Sequence, residues 1–212
     1  MADKKISQFD AKDPPIDNDA FPIFDSATNG NKKTLWSVIK STLKTYFDTA
    51  YLALAGGTLA GILTLAENSS IAHDPVLSAD GKYTGITIDG TAGTTLAFGD
   101  LMYFDPTDSR WELADANSAA GADGDSRGIL AMCVLAAAND GSATKALLNG
   151  VIRADTAFPT FTINNPIYVS ETAGDVTQTQ PTTADVVIRN VGFGLTADSM
   201  YFNPSNDFIT HV

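Results

Sequence analysis

Cysteine occurs once in these 212 residues, at Cys133, and that excludes an intrachain disulfide. It lies in the apolar run from Ile129 to Leu135, where a buried and inert thiol is expected. Histidine, the usual base or metal ligand near neutral pH, is nearly as scarce: His73 stands before a turn and His211 is next to last. Thirteen basic residues face twenty-five acidic ones, a net charge of −12. The imbalance is uneven. Residues 1–50 hold seven Lys and seven Asp, whereas residues 51–212 hold six basic and eighteen acidic side chains. Such a surface repels phosphates and anionic bilayers, so neither nucleic acid nor membrane is expected as a partner. No apolar run approaches the roughly 20 residues that cross a bilayer. Met1-Ala-Asp-Lys-Lys leads into polar sequence without the apolar core of a signal peptide. The chain is therefore expected to be made in a cytoplasm and to stay soluble.

Motifs that carry chemistry are missing as well. There is no HExxH, paired CxxC or GxSxG, and Gly56-Gly57-Thr58 lacks the lysine of a phosphate-binding loop. No catalytic, cofactor-binding or metal residue is assigned, and the expectation is a protein that is not an enzyme. Carboxylates do pair up, at Asp105/Asp108, Asp123/Asp125 and Asp13/Asp17/Asp19. They sit in turn sequences, where Asp bonds nearby backbone amides, and that reading is preferred to a glycosidase pair. The loop from Asp115 to Asp125 lacks EF-hand spacing and its closing Glu. A solvated, mobile loop is expected there, with a loose calcium or sodium site at Asp123 and Asp125 as the alternative. The basic residues Arg110, Arg127, Lys145, Arg153 and Arg189 read as dispersed. Trp111, Tyr103, Tyr168 and Tyr201 read as strand-end aromatics of a core with a partly exposed rim, against a glycan-stacking role.

What the chain does have is turn formers, threonine and alanine, with little Glu or Lys, a composition that predicts short β-strands. Residues 1–30 read as an extended arm, because Pro14-Pro15, Asp17-Asn18-Asp19 and Pro22 exclude helix. Its sparse apolar anchors, Ile6, Phe9, Phe21 and Phe24, are the candidate attachment contacts. Leu35, Val38, Ile39, Thr42, Leu43 and Tyr46 recur at spacings of three and four and predict a helix over 34–47, capped by Thr34 after a turn at Asn29-Gly30-Asn31. A short amphipathic helix must dock on something. The stretch YLALAGGTLAGILTL, Tyr51 to Leu65, is too glycine-rich for a stable helix and too apolar for a linker. Three copies around a common axis would bury Leu52, Leu54, Leu59, Leu63 and Leu65. From about residue 83 short β segments follow at 86–88, 101–104, 111–113, 129–135, 146–152, 166–169, 186–191 and 201–202, divided by Gly, Asn, Asp and Pro. That pattern predicts a β-sandwich or small β-barrel. The phrase Met102-Tyr-Phe-Asp-Pro106 returns as Met200-Tyr-Phe-Asn-Pro204 and more faintly as Ile167-Tyr-Val-Ser170, and reads as equivalent strand ends within one domain. The organisation expected is 1–50 arm and helix, 51–82 neck, and 83–212 β domain, mainly β throughout.

Three segments carry a resemblance. Leu52, Leu54, Gly56, Gly57, Thr58, Leu59, Gly61, Leu63, Thr64 and Leu65 match the "YLPLAGGTLTGPLTL" segment of tail-fibre proteins of tailed bacteriophages, with Ala53 and Ala60 departing from it. Lys5-Ile6-Ser7-Gln8, Asp19, Phe21, Pro22, Ile23 and Asp25, then Lys32 to Leu35, Ile39, Lys40, Tyr46 and Phe47, resemble the amino-terminal module of phage fibre and appendage proteins. Gly99 to Ser205 resembles small β domains of head-decoration and fibre proteins. The resemblance implies a virion protein, attached by its amino-terminal module to tail, baseplate or capsid proteins and trimerised by its neck. A short tail fibre or fibre adaptor is the implied role. A head fibre or decoration protein is the alternative, as is a receptor module with a host-surface glycan as partner.

Overall fold

The structure, a computed structural model, describes residues 16–25, 27, 29–50, 62 and 64–212. The chain is mainly β, with one helix among the described residues. It divides into two compact units, residues 1–70 and 71–212.

In the first unit β1 (Ala20–Asp25) and β2 (Gly30–Leu35) form an antiparallel hairpin, in register from Ala20 opposite Leu35 to Asp25 opposite Gly30. Asn29 in the turn takes a φ of 47°, a left-handed conformation that Asn tolerates. Helix α1 (Trp36–Ala50) follows β2 without a break. The helix therefore starts two residues later than its periodicity predicts, and Thr34 is no cap: it pairs with Phe21 in the hairpin. The acidic turn supplies the cap instead. Trp36 N–H donates to the Asp19 carbonyl at 2.8 Å and Ser37 N–H to the Asp17 carbonyl at 3.3 Å, satisfying amides that the first turn leaves open. Lys40 also pairs with the Asp17 carboxylate. Phe21 packs against Trp36 with ring centroids 5.8 Å apart.

The second unit is a nine-stranded curled sheet in the order β5-β4-β6-β7-β12-β11-β8-β9, with β3 on the other edge of β7. Its strands are β3 (Lys82–Thr91), β4 (Leu101–Asp105), β5 (Arg110–Leu113), β6 (Leu130–Leu135), β7 (Ala143–Arg153), β8 (Pro166–Val169), β9 (Val176–Thr177), β11 (Asn190–Gly194) and β12 (Ser199–Phe202). Two short strands, β10 (Val187–Ile188) and β13 (Ile209–Thr210), pair separately. β7 is long enough to serve three neighbours: β3 along its whole length, β6 opposite its first half and β12 opposite its second. Where the halves meet, Gly85 and Gly150 face each other at φ of 153° and 150°, next to a bulge after Ile86. A Cβ on either would fall on the other strand's carbonyl oxygen, so only glycine fits. At its far ends the sheet is tied by backbone bonds. Leu101 N–H donates to the Gly174 carbonyl at 2.7 Å, and Gly174 N–H to that of Ala114 at 2.9 Å.

Alternation sorts the core. Leu101, Leu130, Met132, Leu147, Ile152, Met200 and Phe202 line the main core, while Met102, Ala131, Cys133 and Ala146 belong to a smaller cluster with Trp111. The recurring Met-Tyr-Phe strand ends are β4 and β12 of this one sheet, with the fainter copy on β8, but they are not used alike. Met200 and Phe202 enter the main core, whereas Met102 and Phe104 face the smaller cluster and Tyr103 the main one. Cys133 is fully buried, and burial pushes its thiol up.

Candidate functional site

The residues singled out for attachment and trimerisation lie partly outside the described residues: Ile6, Phe9, Leu52, Leu54, Leu59 and Leu63 do, as does the side chain of Phe24. Phe21 is exposed at the hairpin surface apart from its contact with Trp36, and Leu65 is exposed. On α1 the apolar stripe is open: Val38 is 50% exposed, Leu43 45% and Tyr46 61%. Thr34, Val38, Ile39, Thr42 and Leu43 line a shallow groove of about 210 Å³.

In the second unit the loop preceding β6 has an exposed tip at 119–123 and a base tied by hydrogen bonds. Asp125 is its organiser. Its carboxylate accepts the Gly121 amide at 2.6 Å, the Arg127 amide at 3.0 Å and Arg127 Nη1 at 2.9 Å. Burial pushes the Asp125 carboxyl up, but the Gly121 amide and the Arg127 guanidinium outweigh it and hold it below the usual carboxylate range. Arg127 Nη1 also donates to the Ser118 carbonyl at 2.8 Å, and its guanidinium lies 5.9 Å from the Phe208 ring centre. The oxygens considered for a cation are thus taken by nitrogen donors at Asp125, while Asp123 is exposed at the loop tip.

Asp105 and Asp108 do sit in a turn. Each accepts the amide two residues on, Thr107 at 2.7 Å and Arg110 at 3.1 Å. Glu112 joins them, the three carboxylates offering oxygens within 4.8 Å of one another. Burial, then the charges of Asp105 and Asp108, pushes the Glu112 carboxyl up. Tyr103, 3.4 Å from Glu112, is pushed up to about 12, by burial first. Trp111 is buried edge-on against Phe104 at 5.2 Å, and Tyr168 and Tyr201 are partly exposed, which is the core-with-rim arrangement.

Basic residues that read as dispersed are brought together. Arg127 and Arg189 line one open cleft of about 520 Å³, with Ile129, Leu148, Asn203, Pro204 and Asn206. Arg189 sits between β10 and β11 and is only 5% exposed. Its Nε donates to the Ser205 carbonyl at 2.7 Å, and its Nη1 to those of Ser126 at 2.7 Å and Gly128 at 2.6 Å. Burial pushes its guanidinium down, with the charge of Asp125 opposing. Arg110, Arg127 and Arg153 each pair with a carboxylate, and among the described residues Arg189 pairs with none. The sequence signal was an arginine inside an apolar stretch, Val186-Val-Ile-Arg-Asn-Val191. A second hollow of about 270 Å³, lined in part by Tyr103, Phe104 and Asp123, shares Gly128 and Ile129 with the first. The chain matches no protein-family model, no curated protein and no solved structure.

Proposed function

We propose that the chain is a structural protein of a tailed-phage virion, a homotrimeric short tail fibre or fibre adaptor attached through its amino-terminal unit. The observation that carries this is the open apolar stripe of α1. The described hairpin and helix leave Val38 and Leu43 about half exposed, and a short helix depends on burying such a face. The partner is another virion protein, with Phe21 and the undescribed Ile6, Phe9 and Phe24 as further contacts. The Gly-Leu neck is the trimerisation segment in this reading. Leu52, Leu54, Leu59, Leu63 and Leu65 together remove several hundred Å² of apolar surface from water, roughly 10 kcal/mol per chain at about 25 cal/mol per Å² before ordering costs. The curled sheet is a small β-barrel in this reading. A head fibre or decoration protein has the same physical requirements, and the virion is the location in either case.

Two measurements test this. Sedimentation equilibrium should give three times the chain mass of 22.3 kDa, and the double variant Leu59→Asp, Leu63→Asp should give the single mass with the β unit still folded. A monomeric parent, or an unchanged trimer in the variant, refutes the neck. Labelled antibody on intact particles should decorate tail or head, and absence from both refutes the virion role. The cleft of Arg127 and Arg189 favours a second reading, in which the β unit also recognises a surface glycan.

A further inference from the structure

We propose that the cleft lined by Arg127 and Arg189 binds the carboxylate of an acidic sugar. Whether or not the chain forms a fibre, a buried guanidinium without a counter-charge needs an explanation, because burying an unpaired charge is costly. Three carbonyls satisfy Nε and Nη1 of Arg189, which fixes the plane of the guanidinium. They supply partial charges only, and Nη2 has no hydrogen-bond partner among the described residues. The nearest acid, Asp125, is already held by Arg127. Two guanidinium groups thus share one carboxylate at the wall of a cleft, in a unit whose residues 71–212 hold six basic and seventeen acidic side chains.

The surroundings narrow the ligand. So acidic a unit repels a polyanion strongly and a ligand with a single carboxylate much less, which favours the latter. With Nε and Nη1 taken by carbonyls, Nη2 of Arg189 is the donor left, and a carboxylate oxygen gives it one charge-assisted hydrogen bond. Asn203 and Asn206 add amide donors and acceptors suited to hydroxyl groups, while Ile129, Leu148 and Pro204 offer apolar surface to the C–H face of a ring. A volume of about 520 Å³ falls within the range of small-ligand clefts and suits a monosaccharide unit.

Saturation-transfer NMR and titration calorimetry on the full chain provide the test, with glucuronate and N-acetylneuraminate as probes and glucose and acetate as controls. At least one sugar acid should bind at least about tenfold more tightly than either control, the difference that one charge-assisted contact makes. Arg189→Lys, which keeps the charge but loses the donor at Nη2, should weaken that binding about tenfold. Because Arg189 also ties three carbonyls, Asn206→Asp serves as a second variant. It places a like charge at the exposed rim and should lower sugar-acid binding about tenfold with melting temperature unchanged. Equal binding of glucose and the acids overturns the carboxylate, and acetate binding as tightly as the acids overturns the sugar. No binding of either acid, or unchanged binding in Asn206→Asp, overturns the site.

Discussion

Alanine placed at three glycines of the second unit separates conformational strain from steric exclusion. Gly128 lies outside the positive-φ region and a Cβ there meets nothing within 4 Å. Gly121 has φ of 75° and equally open space. Gly150 has φ of 150°, and its Cβ would stand 2.7 Å from the Gly85 Cα, besides falling on the Thr84 carbonyl oxygen. Carbon atoms in contact normally keep about 3.5–4.0 Å, so β3 and β7 would have to part by about 1 Å. Gly128→Ala should leave stability equal or raise it by about 0.5 kcal/mol through the unfolded chain. Gly121→Ala should cost about 1–2 kcal/mol, the left-handed penalty alone. Gly150→Ala adds loss of strand pairing to backbone strain and should cost more than about 4 kcal/mol. Urea unfolding reads the series. With a slope of about 2 kcal/mol per molar, the Gly150 variant should shift the midpoint down by about 2 M or fail to fold, against about 0.5–1 M for Gly121. Costs for Gly121→Ala and Gly150→Ala within about 1 kcal/mol of each other would refute the steric account of the facing glycines.

Three further outcomes are expected. Folding raises the Tyr103 pKa from an ordinary 10.0 to about 12, so its contribution to stability is lost as pH climbs between those values; the difference in 295 nm absorbance between the native parent and Tyr103→Phe should show the Tyr103 phenol still mostly protonated near pH 11. Glu112 is likewise raised, so the folded state holds its proton longer and stability falls as pH rises through the carboxylate range. Glu112→Gln should therefore gain on the parent between pH 4 and pH 7 in urea midpoints, and parallel pH profiles would contradict this. Cys133 should react with a thiol reagent at mildly alkaline pH only after unfolding; prompt reaction of the native chain would show that the β6 core opens.

Strands with a dense apolar-aromatic signature were legible in the sequence. β4, β5, β6 and β8 fall where their residues predict them: β4 and β6 bury most of their side chains, β5 is anchored by Trp111, and β8 by Ile167 and Val169. The β1–β2 hairpin was not, since Asn31-Lys-Lys-Thr34 has neither alternation nor β-propensity and is held by pairing alone. β3 was seen only at 86–88, because Gly85, Asp89 and Gly90 depress the signal of a strand whose ten residues are all paired to β7. β9 and β13, two residues each, are too short to leave a pattern. At the cleft, pairing set the outcome. Arg127 and Arg189 lie in loops either side of unrelated strands, and only the sheet order brings them together. The tied base of the loop escaped notice because Asp-rich turns look alike until one carboxylate is seen collecting three donors.

The three-way pairing of β7 sets the order in which this unit is able to fold. β3 and β6 emerge from the ribosome before or beside β7, but the partner of its second half, β12, comes only after β8, β9, β10 and β11. Until residues 199–202 are made, Gly150 to Arg153 present a bare edge with Val151 and Ile152 still uncovered. Such an edge is where nascent chains of the same kind join one another by mistake. Non-local closure of this sort is slow, so the second unit completes itself only once β12 has been made. Truncations that stop short of Ser199 should accumulate as aggregates rather than as shortened folds.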